Sequence, residues 1–308
     1  MKTVKGLHEK MGTFENANTS FHQAARCKRY TNEVLAFSMV KEEELLRATE
    51  EIQNLTYRQG EYKIFKVFEP KERLIMALPF YDRVVQHMIC NAIQPVFENG
   101  FYYHSYACRS GKGMHAASDT LYQWMYETEV KQGLRMYAFK GDISKYFASI
   151  PHDKLKDENR RYIGDKKALM LMDDIIDHNG ILPDGVGIPV GNLTSQLFAN
   201  VYGNKLDKFC KHVLHIPYFV RYMDDFIILS DDLEQLKEWV KRIEEFLENE
   251  MLLHINPKST ILYAGNGIDF CGYIHYADHK KVRKSSIRKL KQDVKAYELL
   301  SLIHISEP

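Results

Sequence analysis

The chain has 308 residues, enough for two or three subdomains around a substantial core, and its 45% hydrophobic and 27% charged residues are ordinary for a globular protein. No run of about 18 uncharged apolar residues occurs, so the sequence predicts no transmembrane helix and no membrane partner. The net charge of only +1 excludes a uniformly basic chain, and a polyanion would need basic residues sorted onto one surface. Five scattered cysteines without a Cys-x-x-Cys pair predict reduced, mostly buried thiols in a cytoplasmic protein.

The N-terminal third of the chain combines a polar start with helical and strand-like periodicity. Residues 1 to about 40 carry a basic cluster at Arg26, Lys28 and Arg29, which predicts a solvated lead-in or an arm that contacts nucleic acid. Further on, apolar periodicity predicts helices over 41–54 and 81–97 and half-buried strands over 61–68 and 73–77.

A basic, glycine-containing loop precedes a predicted helix within residues 104–117. It places Arg109 and Lys112 beside Gly111 and Gly113. Glycines let the backbone approach a ligand closely, and two fixed cations suit a triphosphate. A solvated turn is the alternative, because basic loops of this kind are common on protein surfaces.

The second half of the chain continues with short strands and longer helices. Residues 134–142 predict a strand that ends in a carboxylate, and the glycine-rich segment 185–209 leads into a helix that Thr194 or Ser195 would cap. Other predicted elements are two helices between 152 and 180, a helix over 233–249 capped by Asp231 or Asp232, and short strands over 252–255, 261–263 and 269–273.

The stretch 220–229, VRYMDDFIIL, predicts two strands that meet at a tight turn with Asp224 and Asp225 at its tip. Adjacent carboxylates repel each other, so a cationic partner is expected nearby. Asp142 ends another predicted strand, and neighbouring antiparallel strands would bring the three carboxylates together. They would hold two hard divalent ions, Mg2+ or alternatively Mn2+, for in-line phosphoryl displacement, which predicts nucleotidyl transfer. Taken alone, the Asp-Asp pair is also compatible with a turn that has no chemical role.

The C-terminal part of the chain is strongly basic. Residues 280–295 contain eight lysines and arginines against one acid, Asp293, which favours contact with a nucleic-acid backbone over a merely solvated face. The last nine residues, LSLIHISEP, resemble the in-frame translation of a transposon-end adaptor used to prepare sequencing libraries. We therefore expect residues 300–308 to be non-native and the natural chain to continue differently beyond about residue 299.

From about residue 60 to 295 the chain resembles a reverse transcriptase, on motifs that follow one another in the order of that family. Asp142-Ile143 resembles the first catalytic motif, Tyr222-Met223-Asp224-Asp225 the YxDD motif, and Phe270-Cys271-Gly272-Tyr273 the primer-grip turn. Lys258, in LHINPKST, matches a lysine placed near the pyrophosphate leaving group. Arg73 and Arg109 match finger-domain positions that grip the incoming triphosphate, and Lys112 lies in the same loop as Arg109.

This resemblance implies an RNA-directed DNA polymerase with an α+β, right-hand fold. Its fingers would span 1–136 with part of 152–185, its antiparallel-sheet palm 137–275, and a truncated thumb would begin within 276–299. Asp142, Ile143, Asp224 and Asp225 would hold two Mg2+ ions. Template RNA, primer or cDNA, and dNTPs would be the partners.

Two further features of the resemblance concern substrate choice and fidelity. Phe147 matches a steric gate that would reject a 2′-hydroxyl and select dNTPs, and a buried core aromatic is the alternative. In IPVGNLTSQ, Val190 precedes Gly191 where glutamine is usual, and Gln196 stands where proline is usual. That variant resembles the reverse transcriptases of diversity-generating retroelements, which copy a template-repeat RNA with errors opposite adenine and use a basic accessory oligomer.

Two alternatives stay open at this level. The first is a group II intron-like or retron-like reverse transcriptase, although the IPVGNLTSQ segment argues against both. The second is a non-catalytic nucleic-acid-binding or phage-defence relative on a polymerase-like fold. The intact aspartates weigh against this second class, since unpaired carboxylates are costly to keep together without a function.

Overall fold

The computed structural model describes residues 3–68 and 72–305, the stretch 299–305 by its backbone only. It combines helices with antiparallel sheets, as the predicted α+β class requires. The helices are α1 (Leu7–Met11), α2 (Phe14–Ala24), α3 (Asn32–Met39), α4 (Lys41–Gln53), α5 (Phe80–Glu98), α6 (Met114–Met125), α7 (Tyr146–Ser149), α8 (His152–Tyr162), α9 (Lys166–Asp177), α10 (Leu193–Lys208), α11 (Leu233–Glu250) and α12 (Lys284–Ile305). The strands are β1 (Lys63–Phe68), β2 (Glu72–Ala77), β3 (Tyr137–Asp142), β4 (Tyr218–Tyr222), β5 (Asp225–Ser230), β6 (Thr260–Tyr263), β7 (Ile268–Phe270), β8 (Tyr273–His275) and β9 (Lys280–Val282).

Two compact units divide the chain, and each is assembled from separate stretches. The first comprises Met1–Tyr103, Ile143–Phe209 and Ile243–Ile255, and the second comprises His104–Asp142, Cys210–Arg242 and Asn256–Pro308. The division into fingers, palm and thumb stays a prediction. So does the adaptor origin of residues 300–308: 306–308 lie outside the described residues, whereas the backbone of 300–305 continues α12.

In the first unit, the long helix α5 is buried along most of its length and packs against α1, α2 and α10. Met11 of α1 and Phe21 of α2 belong to this core. The expectation of a solvated lead-in or an arm is therefore wrong, because the N-terminal residues form packed helices. Each of these helices is short, so its few apolar residues give only a weak periodic signal. The basic cluster of Arg26, Lys28 and Arg29 is exposed between α2 and α3.

The β1–β2 pair of the first unit forms where the sequence predicts strands, but β1 is not half-buried, whereas β2 is partly covered through Met76. Ile64 is 39% exposed, Phe65 43% and Phe68 68%, so both faces of β1 meet solvent. Alternation of residue types selects an extended conformation, whereas burial needs a second layer on the apolar face. That second layer is a tertiary property, which the local pattern does not contain.

The core of the second unit is a fully antiparallel sheet in the order β4-β5-β3-β6. Val220 and Ile227 on this sheet pack with Leu121 of α6 in one buried cluster. Gly141 pairs with Phe226, and a Cβ atom at position 141 would overlap the phenyl ring. The close approach of β3 and β5 beside Asp142 therefore depends on glycine.

A second sheet of this unit, in the order β7-β8-β9, includes the predicted strand and turn over 269–273 as a hairpin. His275 at the end of β8 is fully buried, and its Nε2 lies 2.7 Å from the Ser118 hydroxyl of α6. The helix α12 then begins at Lys284 and presents an exposed, basic surface.

Two local predictions are wrong for identifiable reasons. Residues 252–255 form only an isolated bridge between Ile255 and Ile143, because Leu252 has a φ of 51° and the Leu253 amide turns back to the Leu247 carbonyl. The N-cap of α10 is Asn192, with no side-chain capping bond, and not Thr194 or Ser195.

Other local predictions are confirmed, including the cap of α11: the Asp232 Oδ1 accepts from the amides of Glu234 and Gln235. All five cysteines are free thiols, but the prediction that most are buried is wrong, since Cys27 and Cys108 are exposed and Cys271 is half-buried. No described helix is long and apolar enough to cross a membrane.

Candidate active site

The β4–β5 hairpin brings a carboxylate pair to the edge of the central sheet. Tyr222 pairs with Asp225, so Met223 and Asp224 are the two central residues of the turn. The predicted tip is therefore displaced by one residue, and Asp225 is the first residue of β5. Met223 has a φ of 62°, which two-residue hairpin turns require at this position but which a bulky side chain adopts only with strain.

A buried arginine supports this strained turn. Arg221 is fully buried, and its Nη1 donates to the Met223 carbonyl at 2.8 Å while its Nη2 donates to the Ser105 hydroxyl at 3.0 Å. Charge-assisted bonds of this kind are stronger than neutral ones, and here one of them fixes the Met223 carbonyl. This role of Arg221 was not predicted from the sequence, where the available signal was a lone cation inside an otherwise apolar strand.

Asp142 and Asp225 face each other across β3 and β5. Because Asp225 pairs with Tyr222 across the two-residue turn, its backbone bonds point to β4, which leaves Asp142 and Asp225 as a non-hydrogen-bonded pair with close side chains. Burial, followed by the charges of Asp224 and Asp142, raises the pKa of Asp225 to about 6, and a hydrogen bond to Asp142 favours its protonated form. The charge of Lys140 opposes this rise in pKa, so Lys140 is a cationic partner of the kind that the adjacent carboxylates predict.

The donor chemistry of this cluster suits hard divalent cations. Asp142, Asp224 and Asp225 offer only oxygen atoms, and their accumulated negative charge is what such an ion neutralises. Among the described residues, no set of three or more His, Cys, Asp or Glu side chains is arranged as a closed metal site. Ile143, predicted to contribute to metal binding next to Asp142, has a buried side chain and pairs with Ile255.

Lys258 lies in a turn that contacts the backbone of Asp142. Its side chain is exposed, and its amide donates to the Asn256 Oδ1 at 3.1 Å. The Asn256 amide in turn donates to the Asp142 carbonyl at 2.8 Å. The structure therefore brings the turn that carries Lys258 next to the first predicted catalytic aspartate.

Phe147 and Val190, both in the first unit, are connected through one irregular segment. The Ile188 amide donates to the Phe147 carbonyl at 2.8 Å, and the Met76 amide of β2 donates to the Val190 carbonyl at 3.1 Å. Phe147 is half-buried, and its role as a gate stays a prediction. The segment thus links Phe147 and Val190 to the strand that carries Arg73, whose side chain is exposed.

Gly191 and Gln196 lie on either side of the start of α10. Gly191 has a φ of 117°, and a Cβ atom there would lie 3.1 Å from the Ile75 Cγ2. Only glycine therefore fits this approach to β2 without strain. Gln196 is half-buried in the first turn of α10, where its amide donates to the Asn192 carbonyl.

The basic loop before α6 belongs to the second unit and makes contacts within the chain. Arg109 Nη1 donates to the Ser105 carbonyl at 2.7 Å, and Lys112 Nζ lies 4.9 Å from the centre of the Tyr106 ring. Both cations are half-buried. Their contact with a triphosphate stays a prediction.

The predicted primer-grip residues form the two-residue turn of the β7–β8 hairpin. Phe270 pairs with Tyr273, and the central residues Cys271 and Gly272 have φ values of 48° and 83°. Burial, followed by the nearby Asp225 charge, raises the pKa of the Cys271 thiol to about 12 and keeps it protonated. The Arg283 amide donates to the Gly272 carbonyl at 3.1 Å, which connects the turn to the residue before α12.

Comparison with known protein families gives one match over most of the chain. The model of the reverse transcriptase (RNA-dependent DNA polymerase) family matches residues 66–275. This range contains Asp142, Asp224, Asp225 and Lys258, together with the hairpin from Phe270 to Tyr273.

Relatives among characterised and uncharacterised proteins share modest identity. Protein YkfC of Escherichia coli K12 is 25% identical over 251 residues, which cover 67% of this chain and 62% of that protein. An uncharacterized 91 kDa protein in the cob intron of Schizosaccharomyces pombe is 29% identical over 137 residues, 43% of this chain and 16% of that protein. The matches therefore span less than two thirds of either relative.

A solved structure shows the same fold. Telomerase from Candida tropicalis, in complex with a fragment of telomeric RNA, matches 74% of this chain and 45% of its own, with a TM-score of 0.57 and 13% identity. At this identity the likeness concerns architecture, and it confirms the predicted polymerase fold.

Proposed function

The chain belongs to the reverse transcriptase (RNA-dependent DNA polymerase) family, and we propose that it copies an RNA template into DNA by nucleotidyl transfer at Asp142, Asp224 and Asp225. The observation that carries this proposal is the pairing of Asp142 with Asp225 across β3 and β5, with Asp224 in the adjoining turn. This pairing concentrates carboxylates at the end of a rigid sheet, as phosphoryl transfer requires.

The proposed reaction assigns a role to the metal ligands, to Lys258 and to Phe147. Two divalent ions, bound by the three aspartates and the Ile143 carbonyl, would stabilise charge on the attacking and leaving oxygens. Lys258 would donate a proton to the leaving pyrophosphate, and its exposure leaves the ammonium group accessible to substrate. The Phe147 ring would exclude a 2′-hydroxyl.

Primer extension tests this proposal directly. A DNA primer annealed to a defined RNA would be incubated with dNTPs and Mg2+ or Mn2+, using the parent chain, Asp142→Asn and Asp231→Asn. Asp231 is exposed beside α11 and controls for the loss of one charge. We expect extension by the parent and by Asp231→Asn only. Extension by Asp142→Asn would contradict the two-metal assignment. In the same assay, incorporation of rNTPs by Phe147→Ala but not by the parent would support Phe147 as the residue that excludes a 2′-hydroxyl.

We further propose that the template is the template-repeat RNA of a diversity-generating retroelement and that copying is error-prone opposite adenine. Val190 and Gln196 support this, because a valine offers only apolar contact where a glutamine would hydrogen-bond, and discrimination that relies on a polar contact is lost with it. The Met76 amide of β2 holds the backbone of Val190 in place through its carbonyl. A basic accessory oligomer would be a partner.

A group II intron-like reverse transcriptase is the second candidate, and the similarity to a protein in the cob intron favours it. Sequencing the cDNA made on a defined RNA, with errors counted by template base, separates the two. Errors concentrated opposite adenine, and redistributed in Val190→Gln, would support the retroelement assignment. An even error spectrum that Val190→Gln leaves unchanged would support the intron-like one.

A further inference from the structure

One side chain, that of Asn256, bridges the first catalytic aspartate and the turn that carries Lys258. Its Oδ1 accepts from the Lys258 amide at 3.1 Å, and its Nδ2 donates to the Asp142 Oδ2 at 2.6 Å. The amide orientation is determined by these partners, because an N–H can face only an acceptor and a carbonyl oxygen only a donor.

The backbone of Asp142 is held by the same turn. Strand β6 pairs with β3 only as far as Thr260 and Lys140, so it does not reach Asp142. In place of a strand, the backbone N–H of Asn256 donates to the Asp142 carbonyl at 2.8 Å, and the backbone N–H of Asp142 donates to the Ser259 hydroxyl at 3.0 Å. The turn therefore completes the sheet edge at the residue where the strand ends.

We propose that Asn256 is a positioning residue that orients the Asp142 carboxylate for cation binding and couples it to the Lys258 turn; this inference rests on the proposed function. An amide suits the task because it donates a hydrogen bond without neutralising the carboxylate. A lysine or arginine in its place would cancel the charge that a divalent ion needs. Contacts to a ligating carboxylate of this kind typically contribute tenfold or more to metal affinity or activity.

Two substitutions of Asn256 distinguish positioning of the Asp142 carboxylate from a role that is confined to the Lys258 turn. Asn256→Ser retains an oxygen that can accept from the Lys258 amide but cannot reach Asp142. Asn256→Asp retains the acceptor and replaces the donor by a second carboxylate, which repels Asp142. Asn249→Ser, at an exposed position of α11, is the matched control for the loss of an asparagine side chain.

The readout is Mn2+ binding, measured by electron paramagnetic resonance of the free ion, with thermal unfolding in EDTA alongside. The Mn2+ sites that Asp142→Asn loses are taken as those of the aspartate cluster. We expect Asn256→Ser to bind them about tenfold more weakly, with an unfolding temperature close to that of the parent. Asn256→Asp should retain or strengthen Mn2+ binding while slowing single-turnover extension, because charge is gained and orientation is lost.

Parent-like Mn2+ affinity in Asn256→Ser would overturn the inference, as would an equal loss in Asn249→Ser. If Asn256→Ser does not fold, a parent-like extension rate in Asn256→Asp overturns it instead. A parent chain that binds Mn2+ but extends no primer would end the proposed function, while the comparison of Mn2+ affinities would still decide the role of Asn256.

Discussion

Two hairpin turns in the second unit have the same length but different backbones and different support. The Met223–Asp224 turn and the Cys271–Gly272 turn each connect two antiparallel strands through two residues, and each begins with a non-glycine residue at positive φ. In the second turn a glycine follows, with a φ of 83°. In the first turn an aspartate follows, and the buried guanidinium of Arg221 holds the Met223 carbonyl.

The two turns tolerate positive φ in different ways. The Cys271–Gly272 turn follows from its own sequence, because glycine adopts positive φ without steric cost. The Met223–Asp224 turn has a positive φ only at its first position, which leaves the second position free for a carboxylate, and Arg221 supports it by donating to the Met223 carbonyl. Glycine therefore suits the second position of one turn, and a tertiary contact adds support to the other.

The largest expected effect comes from the chemistry of the first turn. Asp224→Asn should reduce primer extension by several orders of magnitude, because a carboxylate essential to charge stabilisation is lost while the turn geometry is retained. Single-turnover extension and urea unfolding measure the two properties separately. A variant that loses activity and stability together would indicate that Asp224 supports the turn as well as the reaction.

Removing the tertiary support should have the next largest effect. Arg221→Met should lower the free energy of unfolding by about 3 kcal/mol, because buried hydrogen-bonding groups lose a charged partner. Arg242→Met, at an exposed position of α11, is the control. Equal urea midpoints for the two variants would show that the first turn is held by its own residues.

The second turn should respond to a single methyl group. Gly272→Ala should cost about 1–2 kcal/mol of stability through its positive φ alone, since its Cβ would meet the Met114 Cε at an ordinary 3.7 Å. Cys271→Asn, which creates an Asn-Gly turn, should stabilise the hairpin by a few tenths of a kcal/mol. Chemical denaturation of both variants checks the two signs, and a destabilised Cys271→Asn would show that the Cys271 packing outweighs the turn preference.

The two hairpins should also respond to pH in opposite directions. Burial holds the pKa of His275 below its ordinary value of 6.5, so acidification protonates the unfolded chain first and stability is lost as the pH falls below about 6.5. Asp225 has its pKa raised from 3.8 to about 6, so its contribution is lost as the pH rises through that window.

Urea unfolding in EDTA between pH 4 and pH 8 measures both contributions. His275→Gln should abolish the loss of stability on acidification below about pH 6.5, so that the opposite slope from Asp225 becomes visible. Asp225→Asn should abolish the loss of stability as the pH rises between about pH 4 and pH 6, so that stability falls more steeply on acidification than in the parent. An unchanged pH dependence in either variant would mean that the corresponding group titrates alike in both states.

The strands and the hairpin that carry Asp142, Asp224 and Asp225 were predicted well from the sequence, because their signals are local. Apolar runs around Asp224 and Asp225 indicate a hairpin, and a run that ends at Asp142 indicates a strand. Their pairing follows from the antiparallel register, and the family match over 66–275 supports the assignment.

What the sequence could not predict depends on contacts between distant residues. The role of Arg221 depends on its hydrogen bonds to the Ser105 hydroxyl and to the Met223 carbonyl, and the sequence does not show the contact with Ser105. In the sequence, Asn256 looks like an ordinary turn asparagine. Its contact with Asp142 depends on the end of β6, which stops before Asp142 and leaves the Asp142 backbone without a partner from that strand. The N-terminal helices were not predicted because each has few apolar residues, and these become buried only by packing against α5.

The exposed β1–β2 ribbon has a consequence for handling the protein. Among the described residues β1 pairs only with β2, so its outer edge offers unpaired backbone groups beside Phe65 and Phe68. Such an edge invites another copy to add a strand, and Lys63 and Lys66 are the charges that discourage it. Neutralising these two lysines would therefore be expected to shorten the time to aggregation in concentrated solutions, while leaving the monomer's fold intact.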